Sequence, residues 1–161
     1  MKKLLLFAAA LLMGISLQAQ DKPLPKVYDE SIDAMEQIDL ALEQARAEGK
    51  YVICQVGGNW CPWCLRFADF AVSTPSVANI INENYIYIHV NTSKGNKNEE
   101  ALRRLENPGR FGYPVFVILD QDGRRLHTQN SAYLEEGKGY NEKAVVEFLQ
   151  NWTAKAIETL K

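Results

Sequence analysis

The chain has 161 residues, enough for one domain with a sizeable core. Hydrophobic residues make up 47% and charged residues 24%, an ordinary globular composition, and the formal net charge is −2. No basic run interleaved with aromatics occurs, which argues against a nucleic-acid partner.

The chain opens with Lys2-Lys3 and an apolar stretch from Leu4 to Met13, followed by Leu17-Gln18-Ala19. This order reads as a secretory signal peptide over residues 1–19. The competing reading, a membrane anchor, needs roughly 20 apolar residues, and the stretch ends near Leu17. Export, to a periplasm or beyond the cell, and no stable membrane insertion after signal removal are therefore expected. Residues 20–30 carry two prolines and read as an exposed lead-in, with a single domain over 31–161.

From Ser31 to Glu48, Ile32, Met35, Ile38, Leu42 and Ala45 recur at helical spacing, and Gly49 is a suitable stop. Tyr51 to Val56 reads as a buried strand, broken by Gly57-Gly58-Asn59. Pro62 to Val72 reads as a helix, with a break at Thr74-Pro75 and helical character again from Ser76 to Asn84. Tyr85 to Val90 is a second strand and Asn91 to Asn98 a polar loop. A short helix from Glu99 to Leu105 and a turn at Asn107-Pro108-Gly109 follow. Pro114 to Leu119 is a third strand, joined through the turn Asp120-Gln121-Asp122-Gly123 to a fourth near Arg124 to Thr128. One amphipathic helix from Asn141 to Leu160 closes the chain. The class is α/β, with a mixed central sheet of about four or five strands and helices on both faces.

Trp60-Cys61-Pro62-Trp63-Cys64 carries the chemistry. Two thiols spaced by two residues at the start of a helix can close a small disulfide ring. Cys61 falls where unpaired amides and the helix dipole favour an anion, which lowers a thiol's pKa. Cys64, one turn further in, is more shielded and acts second. The bland readings are a structural disulfide, half a zinc site or haem attachment. Zinc wants four ligands, and only Cys54 and two scattered histidines are available; haem attachment wants histidine at position 65, which is leucine. Cys54 reads as a small buried hydrophobe.

With these pieces the chain resembles the thioredoxin superfamily, exported bacterial members above all. The likeness rests on the strand before the dithiol, the Trp-Cys-x-x-Cys at a helix start, the strand ending Val90-Asn91, and Gly112-Tyr113-Pro114 before a hairpin. It implies a thioredoxin-like fold and a thiol–disulfide oxidoreductase without cofactor or metal. Its partners would be client proteins bearing disulfides or dithiols, and a membrane or periplasmic redox donor or acceptor. It also implies a cis Pro114 facing the dithiol. Trp60, Pro62, Trp63, Tyr113 and Pro114 are the expected substrate-binding residues. Trp63 is expected to be the more exposed tryptophan and Trp60 half in the core. A monomer is expected.

One departure concerns the proton. The superfamily places a buried acid six positions before the first cysteine, and here that position is Gln55. An amide cannot take up a proton, so His89, aligned beside it on the second strand, is a candidate acceptor. The bland reading makes His89 a satisfied strand histidine and Gln55 a hydrogen-bonded buried amide. The rival to catalysis as a whole is a module that holds a client or a metal through the same cysteines.

Overall fold

In the computed structural model, which describes residues 23–158, the run Tyr51–Gly57 (β1) is buried along its whole length. It lies in the middle of a four-stranded sheet. Tyr85–Asn91 (β2) pairs with it in parallel, Val115–Leu119 (β3) pairs antiparallel on its other side, and Arg125–Asn130 (β4) forms the far edge. A strand covered on both faces reads as a continuous apolar run, as β1 and β3 do. The expected signal peptide at 1–19 and the last residues of the expected closing helix, at Leu160, lie outside the described residues.

Strand parity separates two cores. Val52, Cys54 and Val56 of β1 join Val115, Val117 and Leu119 against Ala34–Glu48 (α1) and Glu99–Arg104 (α4). Tyr51 and Ile53 join Phe116 and Ile118 against Pro62–Ser73 (α2), Pro75–Asn84 (α3) and Glu142–Asn151 (α5). Thr74, in extended conformation, ends α2 and starts α3, so the break at Thr74-Pro75 falls where the proline requires it.

Three differences from expectation go beyond a shift of one or two residues at an element's end, or have a clear local cause. α1 begins at Ala34 rather than Ser31, because Asp33 caps it by accepting from the Met35 amide, while Ser31 is held in a turn by Asp29. The closing helix is two pieces, α5 and Ala154–Glu158 (α6). Thr153 separates them: its Oγ1 accepts from the Ala156 amide at 3.1 Å, starting a new helix instead of continuing the old one. The stretch after β4 also holds a small hairpin, Glu135–Glu136 (β5) with Gly139–Tyr140 (β6), which delivers Tyr140 to the core.

The polar loop after β2 works through its asparagines. Asn98 Oδ1 accepts from the Ala34 amide, and Asn96 Nδ2 donates to the carbonyls of Glu30 and Ile32. These bonds tie down the chain ahead of α1. The lead-in is exposed at Lys26, Asp29 and Glu30, but Tyr28 within it is only 4% exposed, so this part of the segment belongs to the packed structure.

Candidate functional site

Gly57, Gly58 and Asn59 carry the chain from β1 into the turn that starts α2. Cys61 is the N-cap of that helix, with extended backbone, and its Sγ accepts from the Cys64 amide at 3.2 Å. Pro62 follows at the first helical position, where its missing N–H costs nothing. Cys61 and Cys64 form a disulfide with Cα atoms 5.2 Å apart. Cys61 is 5% exposed and Cys64 fully buried, so any reactant from solvent meets Cys61 first.

Gln55 is buried and satisfied, as the bland reading expects. Its Nε2 donates to the Cys64 carbonyl at 2.9 Å and to the Tyr28 hydroxyl at 2.6 Å, while its Oε1 accepts from the Tyr87 hydroxyl. The Cys64 carbonyl can only accept, which fixes the amide's orientation. Burial raises the phenols of both Tyr28 and Tyr87 well above their ordinary values, so both stay protonated and neutral near pH 7.

His89 pairs with Gln55 across the β1–β2 ladder. Its ring meets Tyr28 edge-on at 5.2 Å and Tyr87 at 4.8 Å, and its Nε2 is buried without a partner. Burial pushes its pKa down to about 4. A neutral imidazole of that basicity stays unprotonated near pH 7, which makes it a weak acceptor for a thiol proton.

The rim is aromatic. Trp60 is 53% exposed, meets Tyr113 edge-on at 5.3 Å and donates from Nε1 to the Thr92 carbonyl. Trp63 is half-buried, edge-on to Tyr140 at 5.7 Å and under the Arg66 guanidinium. The two tryptophans thus reverse the expected order of exposure. The reason is Tyr140: the β5–β6 hairpin offers Trp63 a partner, and the Tyr140 hydroxyl donates to the Trp63 carbonyl at 3.0 Å. Tyr113 packs against the cluster of Tyr28, Cys61 and Cys64, and the Tyr113–Pro114 peptide is cis.

Two residues of the site were not singled out in the sequence. Tyr28 packs directly on Cys61 and Cys64. Asn59 holds it there, with Oδ1 accepting from the Val27 and Tyr28 amides and Nδ2 donating to the Tyr28 carbonyl. The available signal was a lone aromatic in a polar lead-in and an asparagine between two glycines and the Trp-Cys pair. His127 stacks on Trp152 at 4.3 Å, in the packing around α5.

Among the described residues no group of His, Cys, Asp and Glu could hold a metal ion, and no helix is long and apolar enough to cross a membrane. No curated protein matches the chain. Among solved structures it is similar to a disulphide isomerase from Xylella fastidiosa Temecula1, with TM-score 0.69 and 22% identity over 80% of this chain and 98% of that one. It is also similar to a thioredoxin from Thermus thermophilus, with TM-score 0.54 and 21% identity over 76% and 88% of the two chains. The C-terminal domain of Neisseria meningitidis DsbD in the oxidised form aligns with TM-score 0.51 and 18% identity, over 74% of this chain and 96% of that one. At such identities the likeness speaks for the fold. A family model described as thioredoxin-like matches residues 33–121, more than half of the sequence and the part that holds the dithiol, and by that match the chain belongs to the thioredoxin-like family.

Proposed function

We propose that this thioredoxin-like protein is a thiol–disulfide oxidoreductase that works outside the cytoplasm on protein clients, with Cys61 attacking and Cys64 resolving. The observation that carries the reading is the Cys61–Cys64 disulfide at the mouth of α2, with its outer sulfur at the cap and its inner sulfur buried. In the reductive direction the Cys61 thiolate attacks a client disulfide, forming a mixed disulfide and expelling one client thiolate. Cys64 then attacks the Cys61 sulfur, the client's second thiolate leaves with its electron pair, and the protein keeps the intramolecular disulfide. Run in reverse, the cycle oxidises a client dithiol. A membrane or periplasmic redox partner restores the starting state, as a dithiol donor after client reduction and as a disulfide-bearing acceptor after client oxidation.

Trp60 and Tyr113 form the aromatic shelf on which an extended client segment would lie, with Pro62 and Trp63 at its inner edge and the backbone beside Pro114 bonding to the client strand. His89, with a pKa pushed down to about 4 by burial, is poorly suited to take the proton of Cys64 near pH 7. The work site follows from Lys2-Lys3 and the apolar stretch after them.

The deciding experiment is turnover of insulin disulfides with a thiol donor, compared with Cys61→Ser. Turnover by the wild-type protein and none by the variant supports catalysis. Stable binding of clients without turnover overturns it in favour of a holding module. Expression in a Gram-negative host should yield a mature chain beginning near Gln20 outside the inner membrane; an intact cytosolic form overturns the compartment.

A further inference from the structure

With an amide at position 55, nothing in the place of the family's acid can receive a proton from Cys64, yet Cys64 must act as a thiolate when it resolves the mixed disulfide. Gln55 does something else. By donating to the Tyr28 hydroxyl at 2.6 Å it occupies a lone pair of that oxygen and turns the hydroxyl's own proton away from the amide. That proton has no acceptor among the described residues. Tyr28 is 4% exposed, so its proton cannot be satisfied by bulk water at large.

In the disulfide state Cys64 Sγ does not accept this proton either, but that sulfur is its packed neighbour, and reduction to a thiolate makes it a strong acceptor. Tyr28, Cys61 and Cys64 form one packed cluster. A Cβ placed on Gly57 would collide with Cys64 Sγ and would lie 2.9 Å from the Tyr28 hydroxyl oxygen, so oxygen and sulfur crowd the same small space above Gly57. The glycine is what leaves room for both. Tyr28 is held to this spot by Asn59, which accepts from the Val27 and Tyr28 amides, donates to the Tyr28 carbonyl, and stands two residues before Cys61 on the same turn.

We propose that the Tyr28 hydroxyl is the hydrogen-bond donor that stabilises the Cys64 thiolate during disulfide exchange, a role that the family's buried acid leaves open when it is replaced by Gln55. The inference rests on the reading of Cys64 as the resolving thiol. In the mixed disulfide, the Cys64 thiol gives its proton to water or to the departing client thiolate. The Tyr28 O–H then points at the sulfur anion until it bonds to Cys61 Sγ and the client sulfur leaves. In the reverse direction the same O–H receives Cys64 as it is expelled as a thiolate. Tyr28 keeps its proton throughout. The other titratable groups around the phenol are Cys61, which reacts, and Tyr87, Tyr140 and His89, which burial holds neutral near pH 7.

The test is the titration of Cys64 in a Cys61→Ser background, read by thiolate absorbance, with and without Tyr28→Phe. A hydrogen bond to a charged group shifts an equilibrium by about tenfold or more, so Tyr28→Phe should raise the Cys64 pKa by about one unit or more. In the full dithiol protein the same change should slow resolution of a preformed mixed disulfide by about tenfold near neutrality and move its pH profile upward, leaving the first attack by Cys61 unchanged. Difluorotyrosine at position 28, nearly the same size and a stronger donor, should lower the Cys64 pKa, and it serves if the phenylalanine variant does not fold. An unmoved Cys64 pKa in either variant overturns the proposal. If the wild-type protein fails to turn over insulin, the function reading fails instead, while the titration still reports on Tyr28.

Discussion

Gln55 and His89 stand opposite each other in the β1–β2 register, and the pair divides sharply: Gln55 satisfies both donors and its acceptor, whereas His89 Nε2 is buried with no partner. The imidazole lies against Tyr28 and Tyr87, whose phenols stay neutral at any pH where the histidine titrates.

This arrangement makes the fold acid-sensitive. A histidine titrating at about 4 when folded and about 6.5 when unfolded binds fewer protons in the native state across that window. Stability is therefore fully present above about pH 6.5 and is lost as pH falls toward 4, by about 3 kcal/mol at most. Denaturant unfolding of oxidised protein between pH 4 and 7 should show the slope, and His89→Leu should remove it. An equal slope in the variant would assign the sensitivity elsewhere.

Gly57→Ala should damage the site without touching a reactive group. The added methyl meets Cys64 Sγ and the Tyr28 hydroxyl at once, and neither is the free end of a long, flexible side chain. Overpacking of this kind costs about 1–3 kcal/mol. Chemical denaturation should register the loss, and rapid-mixing kinetics should show a slower resolving step. A variant as stable as the wild type would mean that Tyr28 moves aside freely.

Trp60→Ala should separate docking from chemistry. The ring is more than half exposed and packs mainly on Tyr113, so the effect on stability should stay within about 0.5 kcal/mol. Turnover of a peptide disulfide should fall several-fold, while exchange with oxidised glutathione, too small to use the shelf, should not change. Equal losses on both would place Trp60 in the chemistry of Cys61.

Cys54 should be silent. It is fully buried among Val52, Val56 and the α1 side chains, and burial pushes its thiol up to about 12. A Cys61→Ser/Cys64→Ser protein should resist alkylation near neutral pH until denatured. Fast labelling of the native variant would show that this core opens.

The central frame of the molecule was legible in the sequence. The strand–Gly-Gly–helix order around Cys61 and the apolar runs of β1 and β3 are local patterns that a covered sheet imposes on its strands. The direction of Gln55 was not legible, because alternation carries no polarity signal where both faces are buried; β1 presents Cys54 and Gln55 to opposite cores. The exposure of Trp60 and Trp63 was misjudged for a related reason. It depends on Tyr140, which reaches Trp63 from far along the chain through a two-residue strand too short to leave a periodic pattern. The break at Thr153 turns on a single capping hydroxyl inside an otherwise continuous amphipathic stripe.

The pinning of Tyr28 by Asn59 bears on where this domain starts. The family match begins at residue 33, downstream of the phenol, and a boundary drawn there would still enclose all four strands of the main sheet and the dithiol. A chain trimmed to that boundary would look complete by secondary structure and would have lost the wall behind its inner sulfur. Grafting or shortening of this protein should therefore treat the segment from Val27 to Ile32 as inherited with the active site, in the way a lid is inherited with its box.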